Sequence, residues 1–156
     1  MVLAATMLAL SACSGADIAE GILESQEGVG DVEIDENSGS VVIEVEDEEG
    51  GGSAIIGGGE VPDDFPIPVP DGGTVTFSTT ADEGSSLNIT YPISEYDSLA
   101  ATYQSFADGV GGSVTTYETS NPKSQTWLVS TDTESYSISI TESDPDVNVF
   151  LIAGSN

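Results

Sequence analysis

From Thr74 onward six runs read as strands, and in the first two apolar and polar residues alternate with a period of two. The first two, "TVTFSTT" (Val75, Phe77) and "SLNITYPI" (Leu87, Ile89, Tyr91), flank "ADEGS" and read as a hairpin. The period then lengthens. In "SEYDSLAATYQSFADGVGG", Tyr96, Leu99, Ala100, Tyr103, Phe106 and Ala107 recur at helical spacing. Ser94 is placed to cap that helix, with Asp97 three residues on, and Gly109 to stop it. "SVTTYET", "QTWLVSTD", "ESYSISIT" and "VNVFLIAG" then read as four more strands, separated by "SNPKS", "TDTES" and "SDPD". The pattern predicts an α+β fold for 74–156, one helix packed on a mostly antiparallel sheet in the order ββαββββ. Its expected core is Phe77, Ile89, Leu99, Tyr103, Phe106, Trp127, Ile138, Ile140, Val149 and Leu151. One helix cannot cover both faces of such a sheet, so one face should stay partly wet. The Ser/Thr positions of "YSISIT" fit that expectation.

Upstream the pattern is weaker. In "DVEIDENSGSVVIEVEDEE", Val32 and Ile34, then Val41, Ile43 and Val45, alternate with acids around a turn at "ENSG". "SAII" adds a third short strand, so 31–59 reads as a small acidic β-hairpin or meander preceding the main sheet. Residues 60–73, "EVPDDFPIPVPDGG", space Pro62, Pro66, Pro68 and Pro70 through an extended segment that cannot be a central strand. This segment is expected to be a semi-rigid connector, with Phe65 and Val69 docking on the domain that follows.

The N-terminal residues carry a different signal. "VLAATMLAL" is an uncharged run of nine, the length of a signal-peptide apolar region and too short for the roughly 20 residues of a membrane span. Small residues and the sole cysteine follow. "LSAC" (Leu10, Ser11, Ala12, Cys13) resembles the lipobox of bacterial lipoproteins. The resemblance implies that residues 1–12 are removed and that Cys13 becomes a lipidated N-terminus. Residues 13–30 would then form a tether, or a short helix through Ile18, Ile22 and Leu23 that Gly21 weakens. A basic start is missing, which places the expected translation start upstream of Met1. The alternative is a buried cysteine in a core helix, but no polar face accompanies the run. The whole layout is similar to small actinobacterial lipoproteins, a likeness that implies the anchor and the α+β arrangement and no activity.

Composition prunes the chemistry. There are 28 Asp and Glu against one basic residue, Lys123, with no Arg or His, for a formal charge of −27. Phosphate contacts need cations, so nucleic acid is excluded as a partner. Imidazole-dependent nucleophiles and His-containing zinc sites are impossible, and one cysteine builds no thiolate cage. No cofactor or specific metal site is implied. Asp31, Glu33 and Asp35, the five acids of 44–49, and "DPDVN" (Asp144, Asp146, Asn148) all lack the Gly and Glu positions of an EF-hand. Weak, nonspecific divalent-cation binding is all they support. Trp127, Tyr91, Tyr117 and Tyr136 would make an aromatic binding strip if they shared the wet face; core packing accounts for the same residues.

These features lead to a lipid-anchored module on the extracytoplasmic face of the cell membrane, held through Cys13. It would be a non-catalytic binder of a cell-envelope protein or glycan. The alternatives are a glycan hydrolase using two facing carboxylates, and an acidic surface coat that buffers divalent cations.

Overall fold

The computed structural model describes residues 32–35, 40–47, 50–82 and 84–156. The signal-peptide, Cys13 and tether assignments lie outside these residues, as do Asp31 and the "ENSG" turn. The described chain forms nine strands: β1 (Val32–Asp35), β2 (Ser40–Asp47), β3 (Gly50–Ile56), β4 (Thr74–Ala81), β5 (Gly84–Pro92), β6 (Ser113–Ser120), β7 (Lys123–Ser130), β8 (Glu134–Ser143) and β9 (Asp146–Ser155). One α-helix, α1 (Tyr96–Val110), follows β5 after a 3-10 turn at Ile93–Glu95. The expected α+β class, one helix on an antiparallel sheet, is what the structure shows.

All nine strands belong to one sheet, in the order β1-β2-β3-β4-β5-β9-β8-β7-β6. The pattern after Thr74 led us to expect a sheet of six strands, but β3 pairs with β4 from Gly52↔Ala81 to Ile56↔Phe77. The acidic strands therefore continue the main sheet and cover an edge of β4 that would otherwise offer unpaired backbone groups. α1 carries the chain from the centre of the sheet to its far edge, and β6 to β9 meander back until β9 lies against β5.

Among the described residues the main hydrophobic cluster lies on one face. Leu87, Ile89 and Tyr91 of β5 share it with Val147, Val149 and Leu151 of β9, Ile138 and Ile140 of β8, and Trp127 and Val129 of β7. From α1, Tyr96, Leu99, Tyr103 and Ala107 close over them. The Trp127 indole N–H donates to Gln104 Oε1 at 2.9 Å, and its ring lies 6.3 Å from that of Tyr103. Phe106, half-buried, meets Tyr136 edge-on at 5.4 Å. Among the described residues the buried Tyr103 hydroxyl meets no hydrogen-bond partner.

The Pro-rich segment is the other half of this cover. Ile67 is only 1% exposed within the core, and Val61, Phe65 and Val69 pack against it. The Tyr91 hydroxyl donates to the Pro70 carbonyl at 2.8 Å. Gly73 brings the segment so close that a Cβ there would stand 2.5 Å from both Ile89 and Tyr91 side chains. Residues 60–73 are thus a strap across the sheet, beyond the docking of Phe65 and Val69 that the sequence suggested.

Three expectations need correction. Phe77 is not in the core: a β-bulge between Val75 and Phe77 leaves Val75 opposite Ile89 but sets Phe77 opposite Asn88, on the other face. One inserted residue reverses every later side chain. Ser94 does not cap α1; it sits inside the 3-10 turn, and neither Pro92 nor Glu95 makes a side-chain capping bond. The tightened turn itself satisfies part of the helix start. Gly109 does not stop the helix, which runs through Val110 to Gly111, whose φ of 76° ends it.

Lys123 is committed to this scaffold. Its Nζ donates to Asp97 at 2.9 Å, lies 3.8 Å from Glu142 and sits 3.9 Å above the Tyr96 ring. The hydrogen bond to Asp97 raises its pKa. The sole basic side chain of the chain thereby ties the start of α1 to the ends of β7 and β8.

Two buried tyrosines set the alkaline limit of this core. Desolvation, then the nearby Asp71 charge, pushes Tyr91 up to about 12, and the hydrogen bond donated to Glu134, then burial, does the same for Tyr136. An unfolded tyrosine releases its proton at about 10. The folded state therefore holds protons that the unfolded chain has lost between pH 10 and 12. This contribution is complete below pH 10 and drains away by about 12. Thermal melts followed by circular dichroism should show a steady midpoint up to about pH 9.5 and a fall across that window; a flat midpoint to pH 12 would contradict the assignment.

Candidate binding face

The opposite side of the sheet carries the complementary half of each alternation. Register fixes which residues share it: Ser86, Asn88 and Thr90 of β5; Asn148, Phe150 and Ile152 of β9; Ser135, Ser137, Ser139 and Thr141 of β8; Ser124, Thr126 and Leu128 of β7; Thr115, Tyr117 and Thr119 of β6. After the bulge, Phe77 and Thr79 of β4 join them, followed by Ala54 and Ile56 of β3. Val41 and Ile43 of β2 and Val32 and Ile34 of β1 complete the rows, with Val32 buried.

Among the described side chains charge is nearly absent from this face: by register its one strand carboxylate is Asp146, at the start of β9. The strand acids Glu33, Glu44, Glu118, Glu134 and Glu142 all have the parity of the core face. In a chain of charge −27 the open face is the exception.

Its polar groups are held in place by one another. Thr79 and Ser86 hydroxyls share a hydrogen bond at 2.7 Å, Thr119 and Ser124 at 2.9 Å, and Thr126 and Ser139 at 3.1 Å. Thr76 donates to Asn88 Oδ1 at 3.3 Å, and Thr90 donates to Asn148 Oδ1 at 3.4 Å. Cross-strand hydroxyl pairs of this kind stabilise a sheet and fix rotamers. Each hydroxyl still has lone pairs to offer. Against this polar field stand large apolar side chains. Five of the seven exposed large hydrophobics among the described residues are on this face: Ile56, Tyr117, Leu128, Phe150 and Ile152.

The four aromatics read as a possible strip do not come together. Trp127, Tyr91 and Tyr136 are buried in the core, and Tyr117 alone reaches the open face, 58% exposed. The strip that does exist uses Phe77 and Phe150 instead. Asn88, part of an Asn-Ile-Thr acceptor sequence, is a half-buried residue of this face on the central strand β5. Among the described residues no group of three or more His, Cys, Asp or Glu is arranged to hold a metal ion. Asp144 falls in the β8–β9 turn, while Asn148 accepts from Thr90.

On the core side, beyond the helix, the strap overhangs β2 to β4 and leaves a groove of about 440 Å³ with Ser53, Ile55, Ser78 and Thr80 along it. Glu60 and Asp63 line it from the strap, both solvent-exposed. Among the described residues no helix is long and apolar enough to cross a membrane.

No protein-family model matches the chain, and no curated protein or solved structure matches it. The functional reading rests on the residues themselves.

Proposed function

We propose that this protein is a lipid-anchored, extracytoplasmic binding module that holds its partner against the open face of the sheet, without catalysis. The observation that supports the binding role is the open face: uncharged across its middle, furnished with hydrogen-bonded Ser, Thr and Asn side chains, and carrying Tyr117, Leu128, Phe150 and Ile152 exposed. A folded chain gains nothing from leaving large apolar groups in water, and clustered exposure of this kind marks interaction surfaces. The anchor rests on "LSAC", with residues 13–30 as the tether and 1–12 as the removed segment. Two acyl chains on Cys13 suffice for stable attachment.

The two halves are tested separately. Metabolic labelling with a fatty-acid analogue should mark the wild-type chain and place it in the membrane fraction, and Cys13→Ala should abolish both. A Cys13→Ala chain that labels and fractionates like wild type removes the anchor. For the face, a photo-reactive amino acid replacing Ile152 should give adducts in cells, and the same group at Ser105 on the exposed side of α1 should not. Equal adduct formation from both positions removes the open face as the binding surface.

A further inference from the structure

We infer that the open face takes a neutral polysaccharide, laid across the strands; this rests on the reading of that face as the binding surface. Charge decides the class of ligand. A polyanion would meet a chain of −27 whose single cation, Lys123, is engaged by Asp97 on the opposite side of the sheet. A polycation would be met by carboxylates, yet the acids of the strands point away from this face or sit at its margin. A second copy would bring two charges of −27 together over one flat contact. An uncharged polymer rich in hydroxyls faces none of these penalties.

The arrangement of groups fits the same ligand. Phe77, Phe150 and Tyr117 stand in a single cross-strand row: Phe77 faces Asn88, Asn88 faces Phe150, and the row continues through Ser139 and Thr126 to Tyr117. Strand spacing puts Phe77 and Phe150 about 10 Å apart, and Phe150 and Tyr117 about 14 Å apart. Sugar rings present flat C–H faces that stack on aromatic rings, and their edges carry hydroxyls. Here the aromatic positions alternate along the row with Asn88 and the bonded Ser139–Thr126 pair. Those hydroxyls are already oriented by their neighbours, so a ligand orders little on arrival. Strands of an open sheet form a platform, which suits an extended polymer, whereas small molecules are held in concave sites.

The test uses the full chain carrying Cys13→Ser, which leaves no thiol to lipidate. Its retention is measured on microcrystalline cellulose and chitin, and its mobility in gels containing galactomannan, with the polyuronate alginate as the charged comparison. Retention by at least one neutral polymer, unaffected by added NaCl, is expected. Phe150→Ser and Tyr117→Ser should each weaken it by about tenfold, the scale of one lost aromatic stack, while the melting midpoint stays put because both rings are exposed. Absence of retention on all neutral polymers overturns the proposal. So does binding to alginate in their place, or full retention by both variants. Protein adducts from position 152 in cells, with no neutral polymer retained, overturn the polysaccharide and leave the binding face standing; neither adducts nor retention overturns both.

Discussion

Trp127→Ala should lower the free energy of unfolding by about 3–5 kcal/mol, the largest loss expected from any single truncation in the core. Trp127 is 0% exposed on β7, roofed by Tyr103 and fixed through its N–H to Gln104. Removing the indole opens a void between α1 and the sheet that rigid neighbouring strands cannot close. Gln104 also loses a partner, though its amide keeps Asp108 at 2.9 Å. Domains of this size are stable by only about 5–15 kcal/mol, so the variant should stand near the edge of folding. Because Trp127 is the only tryptophan, the measurement is urea unfolding followed by far-ultraviolet circular dichroism. A loss below about 1 kcal/mol would mean that the indole is not enclosed as described.

Ile67→Ala should cost about 2–5 kcal/mol, and it separates a strap from a connector. A residue in a linker between two units contributes little to the stability of either. Ile67 instead inserts from between Pro66 and Pro68 into the same core as Leu87, Tyr91 and Tyr103. The prolines limit the backbone freedom that the unfolded chain surrenders when the strap docks. Tyr91 to Pro70 and the close passage of Gly73 fix where it crosses. Urea unfolding of Ile67→Ala and of Phe150→Ser, side by side, should show a large loss for the first and almost none for the second. Similar losses would contradict the assignment of the two faces.

The regular part of the fold was legible because turn residues bound each of the six strand-like runs after Thr74, and the helix through Leu99 and Tyr103 keeps its spacing. Phe77 was misplaced because a bulge is a backbone event, and nothing in "TVTFSTT" marks the extra residue. The strap escaped because a Pro-rich segment has no period; Ile67 looks no different from Val69 in the sequence, yet one is buried and the other half-buried. The pairing of β3 with β4 escaped because partner choice joins segments that a long connection separates.

The candidate site was half legible. A wet face was expected from "YSISIT", and the same rule of two would have sorted the aromatics. Tyr91, Trp127 and Tyr136 share parity with Ile89, Val129 and Ile138, which places them in the core, whereas Tyr117 alternates with Thr and Glu. What spacing could not supply is the row linking Phe77, Phe150 and Tyr117, since it depends on register across non-sequential strands. It also could not show that the strand acids keep to the other face, because that too is a product of register.

For the proposed envelope-anchored module, the deciding measurement is hydroxyl-radical footprinting in the cell envelope and again after extraction into detergent. Tyr117, Leu128 and Phe150 should then be oxidised less in the envelope. Ile93, comparably exposed but at the helix start, should react equally in both. Equal oxidation of Tyr117 and Phe150 in the two preparations would contradict a partner seated on the open face.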